Sequence, residues 1–402
     1  MGRVLLMMVM LGACARPKEP VPAPKPPPPP QWPRFPTGAA EAAALVKAQT
    51  VAAGEAIDFR PERAFEAAER AGWQHLISGD RRVLEWVRAQ RAAWLLAGTF
   101  HDSPEQARMF HHLIAPGGAG PFGTVALEQL RAPGAWLDAD AGNGFDAQAL
   151  ERYLGSGSEA DFEALKQTHL QHDYTAWKYG YDDELLQIVA TARAGKIAVS
   201  ACDVPDALME RLRDDDDSLR VRELHCKLTL AEAKTPVAMM WGQAHAGPDG
   251  FRRFLKEKAL SLVMLGGRHS ADAPDSEFRD RLVLNDPVLI PIREGYAWLW
   301  LPDRFVDGKV DRTRTAADAT APSIVASSEE PGTLGIGDLS FELHDDEKSK
   351  PLAAGEYTYR FRTAKGLTVV GSVEVPESGT AVLHFEPSTR TTYLTVAGPK
   401  YR

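Results

Sequence analysis

The chain has few cysteines and no long apolar segment beyond its first residues. Only three of its 402 residues are cysteine, and no Cys-x-x-Cys pair occurs, which excludes zinc-ribbon and zinc-knuckle proteins. After the N-terminus no segment approaches 18 uncharged apolar residues, so the sequence predicts no further membrane span. Positive charge is also in deficit: the net charge is −9 at pH 7. Nucleic-acid binding needs a basic face, so we expect no nucleic-acid partner.

The N-terminus has the pattern of a bacterial lipoprotein. A short apolar run at residues 4–11 follows Arg3, and the segment 11–14, Leu-Gly-Ala-Cys, is similar to a lipobox. We expect residues 1–13 to be a signal peptide and Cys14 to be lipidated, although an ordinary signal peptide with an incidental cysteine is the alternative. Ala15, in place of aspartate, favours the outer membrane of a bacterium with two membranes. The predicted location is the cell envelope.

A proline-rich segment follows the predicted anchor. Eleven of the residues 17–36 are proline, a composition that adopts extended polyproline II rather than a packed core. Residues 14–36 are therefore interpreted as a lipid anchor and a semi-rigid tether. The whole chain has 44% hydrophobic and 25% charged residues, which is a globular composition.

Beyond the tether, helical and strand patterns alternate up to residue 310. This alternation predicts an α/β domain over 37–310, with an N-terminal helical segment and a mostly parallel sheet covered by helices on both faces. Residues 311–335, rich in Thr, Ala, Ser, Pro and Gly, are interpreted as a linker. Residues 336–402 alternate as strands do and predict a small antiparallel β-sandwich-like domain.

Three apolar runs of strand length each end in Gly-x-x-His, which places His101, His245 and His269 just after predicted strands. Glu128 and Asp203 follow two further predicted strands. Parallel strands bring their carboxyl ends to one edge of a sheet, where ligands bind in open α/β folds. We therefore expect these side chains to share one site. The alternative is that the histidines are only hydrogen-bonded where strands meet helices.

Imidazole and carboxylate are natural ligands for zinc, manganese or iron, and imidazole also ligates haem. The predicted metal ligands are His101, Glu128, His245 and His269. The glycine three residues before each histidine is expected to let the chain turn off its strand. Cys202 and Cys226 either form a disulfide in an oxidising envelope or remain buried thiols.

Three ordered segments resemble a known family. They read Leu-Leu-Ala-Gly-Thr-Phe-His-Asp at 95–102, Val-Ala-Leu-Glu-Gln at 125–129 and Met-Met-Trp-Gly-Gln-Ala-His-Ala at 239–246. They resemble the ChaN-type haem-binding lipoproteins, which belong to a superfamily with erythromycin esterases and the Tiki proteases. An aromatic stretch at 177–181 that leads into a helix and a strand is also similar. The resemblance covers roughly residues 90–303.

The resemblance implies a lipid-anchored homodimer that binds haem or a divalent transition metal and serves in iron or haem uptake. In that family a tyrosine ligates the haem iron. The corresponding candidates here are Tyr174, Tyr179 and Tyr181, together with His101, Glu128 and His245 as further cofactor-binding residues.

One position departs from the superfamily pattern. The first motif usually reads Gly-Glu-x-His, but Thr99 occupies the glutamate position. In hydrolytic members that acid is a metal ligand or general base, so its loss favours binding over catalysis. Three hypotheses remain open: a haem- or metal-binding protein, a metal-dependent esterase or protease using His101, His245 and Glu128, and a non-catalytic scaffold whose β domain binds an envelope partner.

Overall fold

The structure of the protein is a computed structural model, and it describes eleven stretches of the chain: residues 39–51, 60–100, 103–131, 145–170, 181–204, 218–267, 278, 281–302, 309–315, 321–344 and 346–397. The predicted signal peptide, the anchor at Cys14 and the proline-rich tether lie outside the described residues. Within these stretches no helix is both long and apolar enough to cross a bilayer.

Helices open the described chain, in agreement with the sequence pattern. They are α1 (Ala39–Gln49), α2 (Pro61–Ala71) and α3 (Asp80–Ala89), with a 3-10 turn at Trp73–His75 after α2. Helix α2 begins with Pro61, whose missing N–H costs nothing in the first turn of a helix. Its buried residues Ala64, Phe65 and Ala68 lie on one face at helical spacing, and this face packs into the core.

The largest sheet has eight strands, in the order β1-β8-β9-β6-β2-β5-β3-β4. Their bounds are β1 (Ile77–Ser78), β2 (Trp94–Thr99), β3 (Thr124–Arg131), β4 (Ala198–Asp203), β5 (Val237–Gly242), β6 (Ala259–Gly266), β8 (Val288–Arg293) and β9 (Tyr296–Leu301). The pairs from β9 to β4 are parallel, whereas β8 and β1 add antiparallel pairs at one edge. The predicted α/β class is confirmed, and the sheet is mixed in orientation.

Helices lie on both faces of this sheet. The connecting helices are α4 (Pro104–Ile114), α5 (Phe145–Ser156), α6 (Glu159–Leu170), α7 (Tyr181–Ala194), α8 (Ser218–Thr229) and the short α9 (Gln243–Ala246), with a 3-10 turn at Phe251–Phe254. Alternate residues of β2 enter different cores: Leu95 packs with the α4 and α7 side, and Leu96 with the side that contains Cys226. The alternation of side chains along a strand accounts for the two separate cores.

Two five-stranded sheets form the C-terminal part. They run β10-β18-β17-β11-β14 and β13-β12-β15-β16-β7. The strands are β7 (Leu282–Leu284), β10 (Lys309–Thr315), β11 (Ser323–Ser328), β12 (Gly332–Ile336), β13 (Leu339–Leu343), β14 (Lys348–Pro351), β15 (Gly355–Thr363), β16 (Thr368–Val375), β17 (Thr380–Glu386) and β18 (Thr391–Ala397). Their inner faces share one apolar core that includes Leu334, Phe361, Leu383 and Phe385.

The prediction of a purely antiparallel β domain needs correction. The pairs β10–β18, β11–β17 and β16–β7 are parallel, so both sheets are mixed. Strand β7 comes from the segment assigned to the α/β domain and joins β16 through the register Leu282↔Thr368. A parallel pair joins strands whose connection crosses over, and the sequence pattern of one strand does not reveal its distant partner.

Residues 311–335 also differ from the linker that their composition suggested. They contain β11 and most of β10 and β12. In β11 the side chains of Ile324, Ala326 and Ser328 are buried in alternation, as expected for a strand with one face on a core. Thr and Ser occur in strands when one face of the strand packs on a core. The prediction of a linker, which used composition alone, is therefore wrong for these strands.

Candidate functional site

Glu128 and His245 meet at the carboxyl ends of β3 and β5, which pair in parallel. Glu128 lies where the register between β3 and β4 shifts, and such irregularities redirect side chains near the ends of strands. Its Oε2 accepts a hydrogen bond of 2.5 Å from the Gly242 amide, the last residue of β5. His245 follows on α9, with Nε2 3.4 Å from Glu128 Oε1. The site joins these two residues across neighbouring strands.

Helix α8 supplies the remaining charged groups. Glu223 Oε1 lies 2.8 Å from His245 Nδ1 and 2.6 Å from Arg220 Nη1. Arg222 Nη2 donates to Glu128 Oε1 at 2.7 Å and to Asp203 Oδ2 at 2.8 Å, and Arg222 Nε donates to Asp203 Oδ1 at 2.8 Å. One helix thus delivers an acid to the imidazole and a guanidinium to the two strand-end carboxylates.

We call Glu128, Asp203, Arg222, Glu223 and His245 the buried charge cluster. The five residues are between 0% and 6% exposed. The Trp241 ring stacks on the His245 ring, with 4.5 Å between centroids, and closes one side. Burial of so many ionisable groups is costly unless they are paired, and such groups concentrate at functional sites. This cluster is therefore the candidate functional site.

A disulfide holds α8 against β4. The structure joins Cys202 and Cys226, with Cα atoms 4.7 Å apart and both residues fully buried. Cys202 precedes Asp203 on β4, and Cys226 lies one turn beyond Arg222 on α8. The covalent bond therefore fixes the helix that supplies Arg222 and Glu223 to the strand that supplies Asp203.

The charges around His245 decide its protonation. Burial would lower the pKa of His245, but the Glu128 and Glu223 carboxylates outweigh burial and raise this pKa to about 9, from 6.5. For the Glu223 carboxyl, burial has the opposite effect and raises the pKa, and this exceeds the lowering by His245 and Arg220. At neutral pH His245 is therefore an imidazolium ion held between two acids.

This arrangement predicts a pH-dependent stability. In the unfolded chain His245 loses its proton near its ordinary pKa, whereas in the folded chain it keeps the proton up to about pH 9. The protonated His245 stabilises the folded state fully below pH 6.5, and this stabilisation is lost as the pH rises to 9. We therefore expect the free energy of unfolding to fall by about 3 kcal/mol over this range. Urea unfolding at several pH values measures it. A His245→Gln variant that kept the same pH dependence would contradict the prediction.

The structure describes only part of the predicted site. It brings Glu128 and His245 together. His101, His269, Tyr174 and Tyr179 lie outside the described residues, and Tyr181 is described only as the first residue of α7. The roles of these residues as metal or haem ligands stay predictions.

Thr99, which replaces the superfamily glutamate, is 1% exposed at the end of β2. Its Oγ1 donates to the Trp241 carbonyl at 3.4 Å, so the position is part of the packed sheet. Gly98 has a different role from the predicted turn: it remains within β2, and a Cβ there would lie 2.8 Å from the Cβ of Ala246. Gly98 therefore allows α9 to approach β2 closely.

Sequence reasoning missed Arg222 and Glu223. Both lie in α8, whose residues 221–226 are all buried between α1, β4 and the 3-10 turn at Phe251–Phe254. No signal in the sequence distinguishes a charged residue that faces solvent from one that meets a carboxylate across the fold. Asp203 was recognised from its position after a strand, but its guanidinium partner was not.

The buried charge cluster, as the described residues form it, does not fit a metal ion or haem iron. Both nitrogens of His245 lie against carboxylates, Nδ1 at 2.8 Å from Glu223 and Nε2 at 3.4 Å from Glu128, so each ring nitrogen already has an acidic partner. Arg222 already occupies Glu128 Oε1, the oxygen nearest to His245.

Two cavities, of about 440 and 570 Å³, open at the opposite, amino edge of the sheet. Their walls share Arg88, Gly120, Pro121 and Phe122, and neither is lined by a histidine or a carboxylate. These cavities therefore lack groups for acid–base chemistry. We place the candidate site at the carboxyl edge, where the titratable groups converge.

No protein-family model matches the chain, and no curated protein does. Among solved structures, the type III effector HopBA1 aligns with a TM-score of 0.36 and 13% identity, over 57% of this chain and 98% of the effector. ChaN of Campylobacter jejuni, described with cofacial heme binding, aligns at 0.32 and 12% identity, over 46% and 86%. RRSP, a toxin effector domain from Vibrio vulnificus, aligns at 0.25 and 17% identity, over 44% and 34%. These values describe a distant similarity of fold, and no functional argument rests on them.

Proposed function

We propose that the carboxyl edge of the large sheet is the acid–base site of a hydrolase acting on an ester or amide. The observation that carries the proposal is the pairing of a fixed imidazolium with a carboxylate: His245 Nδ1 is held 2.8 Å from Glu223, and Nε2 lies 3.4 Å from Glu128. Neighbouring acid and base groups whose proton affinities are pushed apart are the usual equipment of enzymes that work near neutral pH.

The two ends of the imidazole have different tasks. The Nδ1 contact with Glu223 is short and fixes the orientation of the ring, as a carboxylate does for the histidine of a catalytic triad. The Nε2 contact with Glu128 is longer at 3.4 Å, so Nε2 has the weaker hydrogen bond, and we assign proton donation to the substrate to this nitrogen. His245 is therefore the general acid.

Glu128 is the matching base. Arg222 and the Gly242 amide donate hydrogen bonds to its two oxygens, which sets its orientation. In the proposed reaction Glu128 accepts a proton from water as the water oxygen attacks the carbonyl carbon. His245 Nε2 donates its proton to the departing oxygen or nitrogen when the bond to the carbonyl carbon breaks. Transfer of the proton from Glu128 to His245 restores both groups.

The test is turnover of a panel of chromogenic esters and fluorogenic peptides by the purified full chain. We expect His245→Gln and Glu128→Gln each to lower kcat by about 10²–10⁴-fold, the usual contribution of a general acid or base. The wild-type rate should decline above about pH 9, where the acid form of His245 is lost. His111→Gln is the matched control, because His111 lies near the end of α4 and contacts Thr191 at 2.6 Å, away from the cluster.

Two results would overturn the proposal. One is turnover that persists at the wild-type level in both the His245→Gln and Glu128→Gln variants. The other is an absence of turnover together with a Soret band or stoichiometric iron in the purified chain, which would favour the haem-binding hypothesis. Circular dichroism and thermal unfolding of each variant distinguish a lost proton-transfer group from a lost fold.

A further inference from the structure

A second group of titratable side chains lies far along the chain, on the sheet that contains β11 and β17. Glu329, His384 and Glu386 each place one ligand atom within 4.8 Å of the other two. His384 and Glu386 are two residues apart on β17 and therefore point to the same face of the strand. Glu329 follows β11, the parallel neighbour of β17, and its amide donates to the Phe385 carbonyl at 3.1 Å.

Both ligands on β17 are oriented by neighbouring hydroxyl groups. Ser327 Oγ lies 2.9 Å from His384 Nδ1, so a proton on Nδ1 leaves the Nε2 lone pair directed towards the carboxylates. Glu386 Oε2 accepts hydrogen bonds from Thr389 Oγ1 at 3.2 Å and Tyr393 OH at 3.4 Å. Its other oxygen, Oε1, lies 3.9 Å from His384 Nε2. The hydrogen bonds from the hydroxyl groups thus involve the far atoms of both side chains and leave His384 Nε2 and Glu386 Oε1 to bind a ligand.

The strand beneath this group is rigid. Phe385, between the two ligands, is 1% exposed and stacks on Phe361 with 4.6 Å between ring centroids. A buried aromatic anchor limits movement of the flanking residues, so His384 and Glu386 keep their spacing. Glu329 is exposed, and its side chain has the freedom to complete the site.

We propose that Glu329, His384 and Glu386 bind a divalent transition-metal ion, with Zn²⁺ as the best match. One imidazole and two carboxylates are typical zinc ligands, and bond lengths of about 2.0–2.2 Å place tetrahedral ligands roughly 3.4 Å apart. The separation of 3.9 Å between His384 Nε2 and Glu386 Oε1 needs only a small side-chain rotation to reach this value. Three protein ligands leave the fourth position for water or for a group from a partner.

The ion would fasten the end of β11 to β17, where the chain crosses from one C-terminal sheet to the other. This site is independent of the proposed hydrolase function, because it shares no residue with the buried charge cluster. Zinc binding and ester or amide hydrolysis therefore succeed or fail separately.

The experiment is titration of the full chain, purified without a polyhistidine tag, with Zn²⁺ in a calorimeter, and with Co²⁺ as an optical probe. We expect the wild type to bind one equivalent that is lost in His384→Gln and in Glu386→Gln. Ser327→Ala should weaken binding by about 10-fold, as the loss of an outer hydrogen bond to a ligating histidine does. Zn²⁺ should raise Tm in the wild type but not in His384→Gln.

Two controls locate the ion. His344→Gln removes an exposed histidine of the same domain, and His245→Gln alters the buried charge cluster, so both should retain the equivalent of zinc. Binding that is unchanged in His384→Gln, or absent from the wild type, would overturn the proposal. Equal losses in His384→Gln and His344→Gln would also overturn it, because they would show non-specific surface binding.

Discussion

Arg222→Ala is expected to lower the free energy of unfolding by about 3–5 kcal/mol, the cost of leaving buried charges without their partner. Arg222 is 6% exposed and binds two carboxylates, Glu128 at 2.7 Å and Asp203 at 2.8 Å. Its removal takes the guanidinium away from both buried acids, although Glu128 keeps its contacts with the Gly242 amide and His245, and Asp203 keeps the Val204 amide. Urea unfolding near pH 7 measures the change.

The matched control is Arg81→Ala. Arg81 also pairs with a carboxylate, Glu356, at 2.5 Å, but its side chain is 65% exposed. Exposed pairs contribute about 0–1 kcal/mol, so this variant should lose little stability. Arg222→Lys, which keeps the charge but not the planar fork, should lie between the two. If Arg222→Ala and Arg81→Ala lowered the free energy of unfolding by similar amounts, burial would not strengthen the ion pairs of the cluster, and the prediction would be wrong.

Removal of the disulfide is expected to cost about 3 kcal/mol in the double variant Cys202→Ala/Cys226→Ala. The bond closes a loop of 24 residues and thereby restricts the unfolded chain. Because removal of either cysteine removes the disulfide, each single variant should lose about as much stability as the double variant. Unfolding of all three, with and without a reductant, measures this.

The double variant also bears on the candidate site. Loss of the bond frees the connection between β4 and α8, so Arg222 and Glu223 should be positioned less well relative to Glu128 and His245. Any hydrolytic activity should therefore fall together with stability. Single variants whose losses add up to that of the double variant would indicate two independent thiols instead of a bond.

Local pattern predicted much of the helical and strand content. Helices α1, α2 and α3 and the three strands before Gly-x-x-His, β2, β5 and β6, follow from the spacing of apolar residues. Composition failed at residues 311–335, where strands β11 and β12 occur. Burial of Ile324 and Ala326 depends on partners far away in the chain, which composition does not contain.

Some residues of the candidate site were predicted from the sequence, and others were not. Glu128 and His245 were predicted together, because strand ends of a parallel arrangement converge at one edge. Glu223, which orients His245, and Arg222, which binds Glu128, were not predicted. Their helix approaches β4 through a disulfide whose pairing the sequence left open, so its charged residues could not be assigned to this edge.

The sequence by itself determined the α/β class, the edge of the sheet that gathers titratable groups, and three of the residues at that edge, Glu128, Asp203 and His245. Hydrophobic periodicity and strand direction are local properties, so they can be read without coordinates. Only the tertiary structure decided the protonation of His245, the partners of Glu128 and the mixed orientation of the sheets. These depend on which distant groups are buried side by side, since a charge in the interior is governed by its neighbours in space.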